Sequence, residues 1–298
     1  MSQAHGGAMQ LDIFEHSHDV MLRNDVVQAL ERHDAVAARA ACERLAAECA
    51  LDESLPALLV LTGAIAVAER KPFRDHAALR QARQALQEKT QPAALRTFGG
   101  VAAAAWLAAL WRDLAQRAEL LAFNTEHPHE HAAPLWLHAG DWKAAADAVR
   151  AIESWRRIPA PLAWMAEARL HLVGLQATWP MLAELGWLSP RRLDELVRRS
   201  PDPLLPQLMR GFEASFEGVG DVSDLAWFAA WVLTERPNLS EHLAAAQAAQ
   251  RSEPEQAMRV LIELLGLERQ GRHHDIVTRR KALRDLHPSL YAAYMRNR

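Results

Sequence analysis

The stretch Leu135-Trp-Leu-His-Ala-Gly-Asp-Trp-Lys-Ala-Ala-Ala-Asp-Ala-Val149 decides the fold class. It reads as the end of one helix, a stop at Gly140 and a second, alanine-rich helix. Gly174 and Gly271 read as stops of the same kind. Helix starts are marked as clearly. Ser252-Glu-Pro-Glu255 is a capping box with proline early in the first turn. It opens a stripe of Ala257, Val260, Leu261, Leu264 and Leu265, the spacing of an amphipathic helix. Ser189-Pro190, Pro288-Ser289, Asp202-Pro203 and Asp221 mark further starts. Together these signals predict a dozen or more helices of roughly 10–18 residues, joined by roughly 2–6 residues. Such short connections turn apolar-faced helices back on their neighbours, so the predicted unit is an antiparallel helix hairpin.

Composition points the same way. Half of the 298 residues are hydrophobic, enough for a sizeable core. The helix formers alanine, leucine, arginine and glutamate dominate, while strand formers are thin, with two tyrosines and seven phenylalanines. The expectation is all-α. A net charge of −3 argues against the whole chain being a nucleic-acid binder. The charge is uneven, however. Residues 272–298 hold seven Arg or Lys and two Asp, a local +5, which leaves −8 on the preceding 271 residues. Cys42 and Cys49 stand seven apart in one predicted helix, so their Cα atoms are ~10.5 Å apart, beyond the ~7 Å reach of a disulfide. They are expected to be reduced and buried, in a reducing compartment. The first ten residues do not read as a signal peptide. The most apolar stretch, 101–111, is about half the ~20 residues a membrane span needs, so a cytoplasmic protein is expected.

Gly140 and Gly174 are 34 residues apart. Around Gly140 the chain resembles the tetratricopeptide-repeat (TPR) family. Ala133 falls at a small position of the first helix, Trp136 at its aromatic position and Ala145 at the small position of the second helix. Partial matches run from Glu255 through Gly271 to Pro288, and around His33-Asp34 with Ala38 and Cys42. The chain departs from the pattern at Trp179-Pro180, Leu264, Ile276 and Arg280. The resemblance implies antiparallel helix hairpins stacked as an irregular TPR-like α-solenoid. The implied organisation is a flexible segment over 1–10 and a single domain over 11–298, with a bend near 124–132. It implies a protein- or peptide-binding adaptor or scaffold, with a groove drawn from Glu130, Leu137, His138, Trp164, Ala168 and His171. Trp164 has two readings, core or groove, and burial separates them.

Other constellations give rival expectations. Arg279, Arg280, Lys281 and Arg284 form a basic ridge interleaved with Tyr291 and Tyr294. It reads as the polar outer face of a capping helix, or as a contact for RNA or an acidic partner. Glu126-His-Pro-His-Glu-His131 and Glu15-His16-Ser-His18-Asp19 have the residue types of a metal site without the spacing of one. A metal-dependent helical enzyme is the alternative they raise; no metal or cofactor is expected. The pair Gly218-Val-Gly220 lacks the third glycine and preceding strand of a phosphate-binding loop. Trp227 and Trp231, like Trp106 and Trp111, lie in apolar runs and are expected in the core.

Overall fold

The computed structural model describes residues 6–66, 71–247 and 252–297, with side chains from His18 onward. Among the described residues there is no strand, and the chain is helical, as expected from composition. It divides into two compact units, Met1–Gly140 and Asp141–Arg298, where a single domain over 11–298 was expected. Gly140, the stop on which the sequence turns, is the last residue of the first unit.

The first unit contains α1 (Gly6–Glu31), α2 (Ala35–Glu48), α3 (Leu55–Ile65), α4 (His76–Ala85), α5 (Gln91–Phe98), α6 (Gly100–Ala118) and α7 (Ala132–His138). α1 therefore begins inside the 1–10 segment expected to be flexible. Consecutive helices pack on one another: α1 on α2, α2 on α3, α5 on α6 and α6 on α7. The α1–α2 turn shows how sequence sets a hairpin. His33 takes a left-handed conformation at φ 55°, and the Asp34 carboxylate caps α2 by accepting from Ala37 N. The His33 ring then stacks on Trp106 of α6 at 5.2 Å, and the Trp106 indole donates to Leu30 O at 2.7 Å. A π-helical turn, Leu86–Thr90, joins α4 to α5. The two cysteines behave differently. Cys42 is buried against Thr62, as expected, but Cys49 is only half-buried at the end of α2. Its thiol donates to Asp19 at 2.8 Å, and that carboxylate pushes its pKa up to about 11.

The second unit contains α8 (Trp142–Arg150), α9 (Pro159–Val173), α10 (Trp179–Leu188), α11 (Pro190–Arg198), α12 (Leu204–Ser215), α13 (Phe228–Glu235), α14 (Ser240–Ala244), α15 (Glu253–Gln270), α16 (His273–Leu286) and α17 (Pro288–Arg296). Gly174 and Gly271 sit at φ 80° and 69°, a region open to glycine, and end α9 and α15 as the sequence predicts. The Ser252 box starts α15, yet its hydroxyl makes no cap bond and is buried with no partner among the described residues. In a solenoid each repeat touches only its neighbours. Here α13 packs on α10, α12, α15 and α17. Phe228, Trp231, Val232 and Leu233 are nearly inaccessible, each worth roughly 1.5–3 kcal/mol relative to exposure. The unit is thus organised around one central helix rather than by nearest-neighbour stacking alone. Among the described residues no helix is long and apolar enough to cross a membrane.

Candidate binding site

An open pocket of about 400 Å³ lies in the second unit where α11, α12 and the segment after α12 meet. α11 is strongly amphipathic: Leu193, Leu196 and Val197 are buried, which turns Asp194 and Arg198 outward. α12 buries Leu205, Leu208, Met209 and Phe212, which leaves Glu213 exposed beside them. The chain leaves α12 extended at Phe216 and folds Glu217-Gly-Val-Gly-Asp221 around the Asp224 carboxylate. That carboxylate accepts from Val219 N at 2.9 Å and Gly220 N at 2.7 Å. A Cβ on Gly218 would fall against the same carboxylate, and Gly220 sits at φ 88°, so the loop requires both glycines. Asp221 caps the following 3-10 turn, accepting from Ser223 N at 2.7 Å and from the Ser223 hydroxyl at 2.5 Å. These Ser223 bonds hold the Asp221 carboxyl below the usual carboxylate range.

The pocket thus has a wall of Asp194, Glu213, Asp221 and Asp224 against one cation, Arg198. Arg198 donates to Asp194 at 2.9–3.0 Å and lies 3.9 Å from Glu213, so three formal negative charges stay uncompensated within the lining. The floor is aromatic. Phe212 and Phe216 stack at 4.6 Å, and Phe212 meets Phe228 and Trp231 edge-on behind it. Phe216 continues onto the His287 ring at 5.0 Å. Burial lowers the pKa of His287, and its Nδ1 accepts from Leu290 N to cap α17. Carboxylates beside aromatic faces suit a cation: each ring face attracts positive charge, and each carboxylate accepts charge-assisted hydrogen bonds.

No protein-family model, curated protein or solved structure matches this chain.

The groove residues expected from the sequence are placed differently from the pocket. Glu130, Leu137, Trp164 and Ala168 are 4%, 8%, 5% and 0% exposed, too buried to meet a ligand. Glu130 lies in the first unit and forms a double contact with Arg80, through Nε and through Nη2 at 3.1 Å. That partner holds its carboxyl below the usual range. Trp164 and Ala168 are both buried residues of α9, as the core reading of Trp164 expects. His138 and His171 do reach solvent. His138 stacks on Trp111 at 4.6 Å and His171 on Trp142 at 3.7 Å, nearly parallel. Glu130, Leu137 and His138 belong to the first unit, and Trp164, Ala168 and His171 to the second.

The basic ridge lies on α16 and is largely neutralised. Arg279 pairs with Glu263 at 2.7 Å, Arg280 with Glu268 at 3.4 Å and Arg284 with Asp285 at 3.9 Å. Arg280 also lies over Tyr294. Lys281 is exposed and makes no ion pair among the described residues. The histidine-rich segment 126–131 is anchored at its end, through the buried Glu130 and His131, while Glu126, His127 and His129 are exposed. The buried His131 ring caps α7 and packs edge-on with Phe123, and burial holds its pKa down to about 4. His18 bonds Glu48 at 2.6 Å, while the Glu15 and His16 side chains lie outside the described residues. Among the described residues no three His, Cys, Asp or Glu are placed to hold a metal ion. A pocket of about 510 Å³ in the first unit is lined by Arg23, Arg96 and Glu53, but Arg23 is paired with Asp52 at 2.6 Å.

Sequence reasoning passed over the acidic pocket because its parts are 30 residues apart. The one local signal was Gly218-Val-Gly220 followed by two aspartates. That loop has amides aimed at an anion, and the anion is the chain's own Asp224.

Proposed function

We propose that this protein is a binding protein of the adaptor or scaffold kind, holding a protein or peptide partner through a basic segment. The observation that carries this reading is the pocket of Asp194, Glu213, Asp221 and Asp224 over the Phe212–Phe216 stack. An arginine or lysine entering it gains carboxylate partners and an aromatic face at once. Arg198, lying across Asp194 and Glu213, illustrates how a guanidinium fits that wall. The likeness to tetratricopeptide hairpins around Gly140 is in keeping with a binding role, since helical hairpins commonly present such surfaces. The test is a titration of a fluorescent lysine- and arginine-rich peptide, with an acidic peptide of equal length as control. Binding of the basic peptide alone, weakening steeply with salt, is the expected result. Equal binding of both peptides, or binding untouched by the double change E213Q/D221N, contradicts the proposal.

A further inference from the structure

His287 joins two helices beside the acidic pocket. Its N–H donates to Leu283 O at 2.9 Å to end α16, and its Nδ1 accepts from Leu290 N at 3.2 Å to start α17. A backbone amide only donates, so this Nδ1 carries no proton and the ring is the neutral tautomer protonated at Nε2. The ring packs against Phe216, a lining residue of the pocket, at 5.0 Å and against Trp227 at 4.5 Å. Two residues on, the Ser289 hydroxyl donates to Glu217 at 3.0 Å. The start of α17 is thus fastened to the same segment after α12 that builds the pocket. Among the described residues three carboxylates act on the ring: Asp224 and Glu217 from that segment, and Glu253 from the first turn of α15. In α16, Arg284 and Asp285 lie 3.9 Å apart and pair with each other. The carboxylates favour a protonated ring, but burial outweighs them and holds His287 below the usual histidine range.

We propose that a proton on His287 and a cation in the acidic pocket oppose one another, so that His287 releases a bound basic segment in acid. The inference rests on the binding role proposed above and adds its regulation. Protonation acts in two ways. It turns Nδ1 into a donor facing the Leu290 N–H, which removes the cap of α17 and loosens the ring from Phe216. It also sets a positive charge near Asp224, whose carboxylate is part of the wall that attracts the ligand. Coupling of this kind is reciprocal: if the proton weakens the peptide, the peptide weakens the proton by the same factor. The sign follows from burial. With a folded pKa below the unfolded value, the ring is neutral and the cap intact above about pH 6.5, and both the cap and part of the affinity are lost as pH falls through the folded pKa.

The test is an NMR pH titration of the histidine rings in the full chain, alone and saturated with a blocked peptide of arginine, lysine and glycine, which has no group titrating in this range. The His287 signal is the one missing from H287N, a variant that keeps a capping side chain and removes the ionisation. Without peptide, His287 titrates below about pH 6.5 and the Leu290 amide signal moves with the same midpoint. With peptide, that midpoint falls by at least about half a pH unit, equivalent to about threefold tighter binding to the neutral form. Between pH 7.5 and 5.0 the peptide affinity of the wild type drops at least about twofold more than that of H287N. Peptide that binds at pH 7.5 but leaves the His287 midpoint unmoved, or an equal drop in H287N, overturns the coupling alone. A His287 midpoint at or above pH 6.5 overturns the buried neutral cap on which it depends. Peptide that fails to bind even at pH 7.5 overturns the binding role itself, and the coupling with it.

Discussion

Two connections in this protein invert what their sequences advertise. In the first unit, the chain between α6 and α7 contains Glu126-His-Pro-His-Glu-His131, a run rich in ligand-type residues. In the second unit, the chain after α12 contains Glu217-Gly-Val-Gly-Asp221, with little to suggest chemistry. The first turns out to be architecture. Arg80 of α4 takes Glu130, His76 of the same helix contacts Ala122 O at 2.8 Å, and His131 is buried as a helix cap. The second folds around Asp224 and leaves acids facing an open pocket. Burial, not residue type, separates the two: a charge enclosed with its partner holds the chain in place, and a charge left at a pocket remains available to a ligand.

The largest effect that tests this contrast is expected in the first unit. Removing Arg80 by R80M strands the buried Glu130 and lowers stability by about 2–3 kcal/mol in urea unfolding, given that Arg80 itself is partly exposed. A loss under half of that would mean the 126–131 connection is not held by this pair.

His131 gives the first unit a pH signature. Its folded pKa, about 4, lies below the usual 6.5, so the unfolded chain takes up the proton first. Stability is then fully present above about pH 6.5 and falls progressively towards pH 4, by roughly 3 kcal/mol from this group. Carboxylates titrate in the same window, so the comparison is with H131N, which keeps a capping side chain and removes the titration. The H131N profile is expected to be flatter between pH 6.5 and 4; identical profiles would show that His131 is accessible in the fold.

In the second unit, G218A places a methyl group against the Asp224 carboxylate and opens the loop. A stability loss of about 1–2 kcal/mol is expected, together with loss of basic-peptide binding. Retained affinity would separate the loop from the site. By contrast, E213Q/D221N should change stability by about 0.5 kcal/mol or less, because both groups are exposed, and weaken peptide binding about tenfold. The smallest effect belongs to His127, exposed in the histidine-rich run: H127A should lie within about 0.5 kcal/mol of wild type. A larger change would return that segment to functional candidacy.

The helical class, the glycine stops at 140, 174 and 271 and the starts at Pro190, Glu253 and Pro288 were legible in the sequence because each rests on local backbone chemistry. The buried state of Trp106, Trp111 and Trp231 followed from apolar runs. Packing beyond the nearest helix was not legible. Nothing local marks α13 as the centre of its unit, since that depends on contacts with α15 and α17 far along the chain. The site was hidden for the same reason. Asp194 and Glu213 lie on different helices, and Asp224 reaches back to the amides of residues 219 and 220 only once the loop has closed. Glu130 and Trp164 of the expected groove are buried, because repeat positions specify a helix face, whereas the tertiary contacts decide whether that face is covered.

Hydrogen–deuterium exchange of the full chain, with and without the basic peptide, tests the central contrast most directly. The account predicts added protection in peptic fragments covering residues 190–225, and none across 119–131. Protection confined to 119–131, or bound peptide with no change across 190–225, would contradict it.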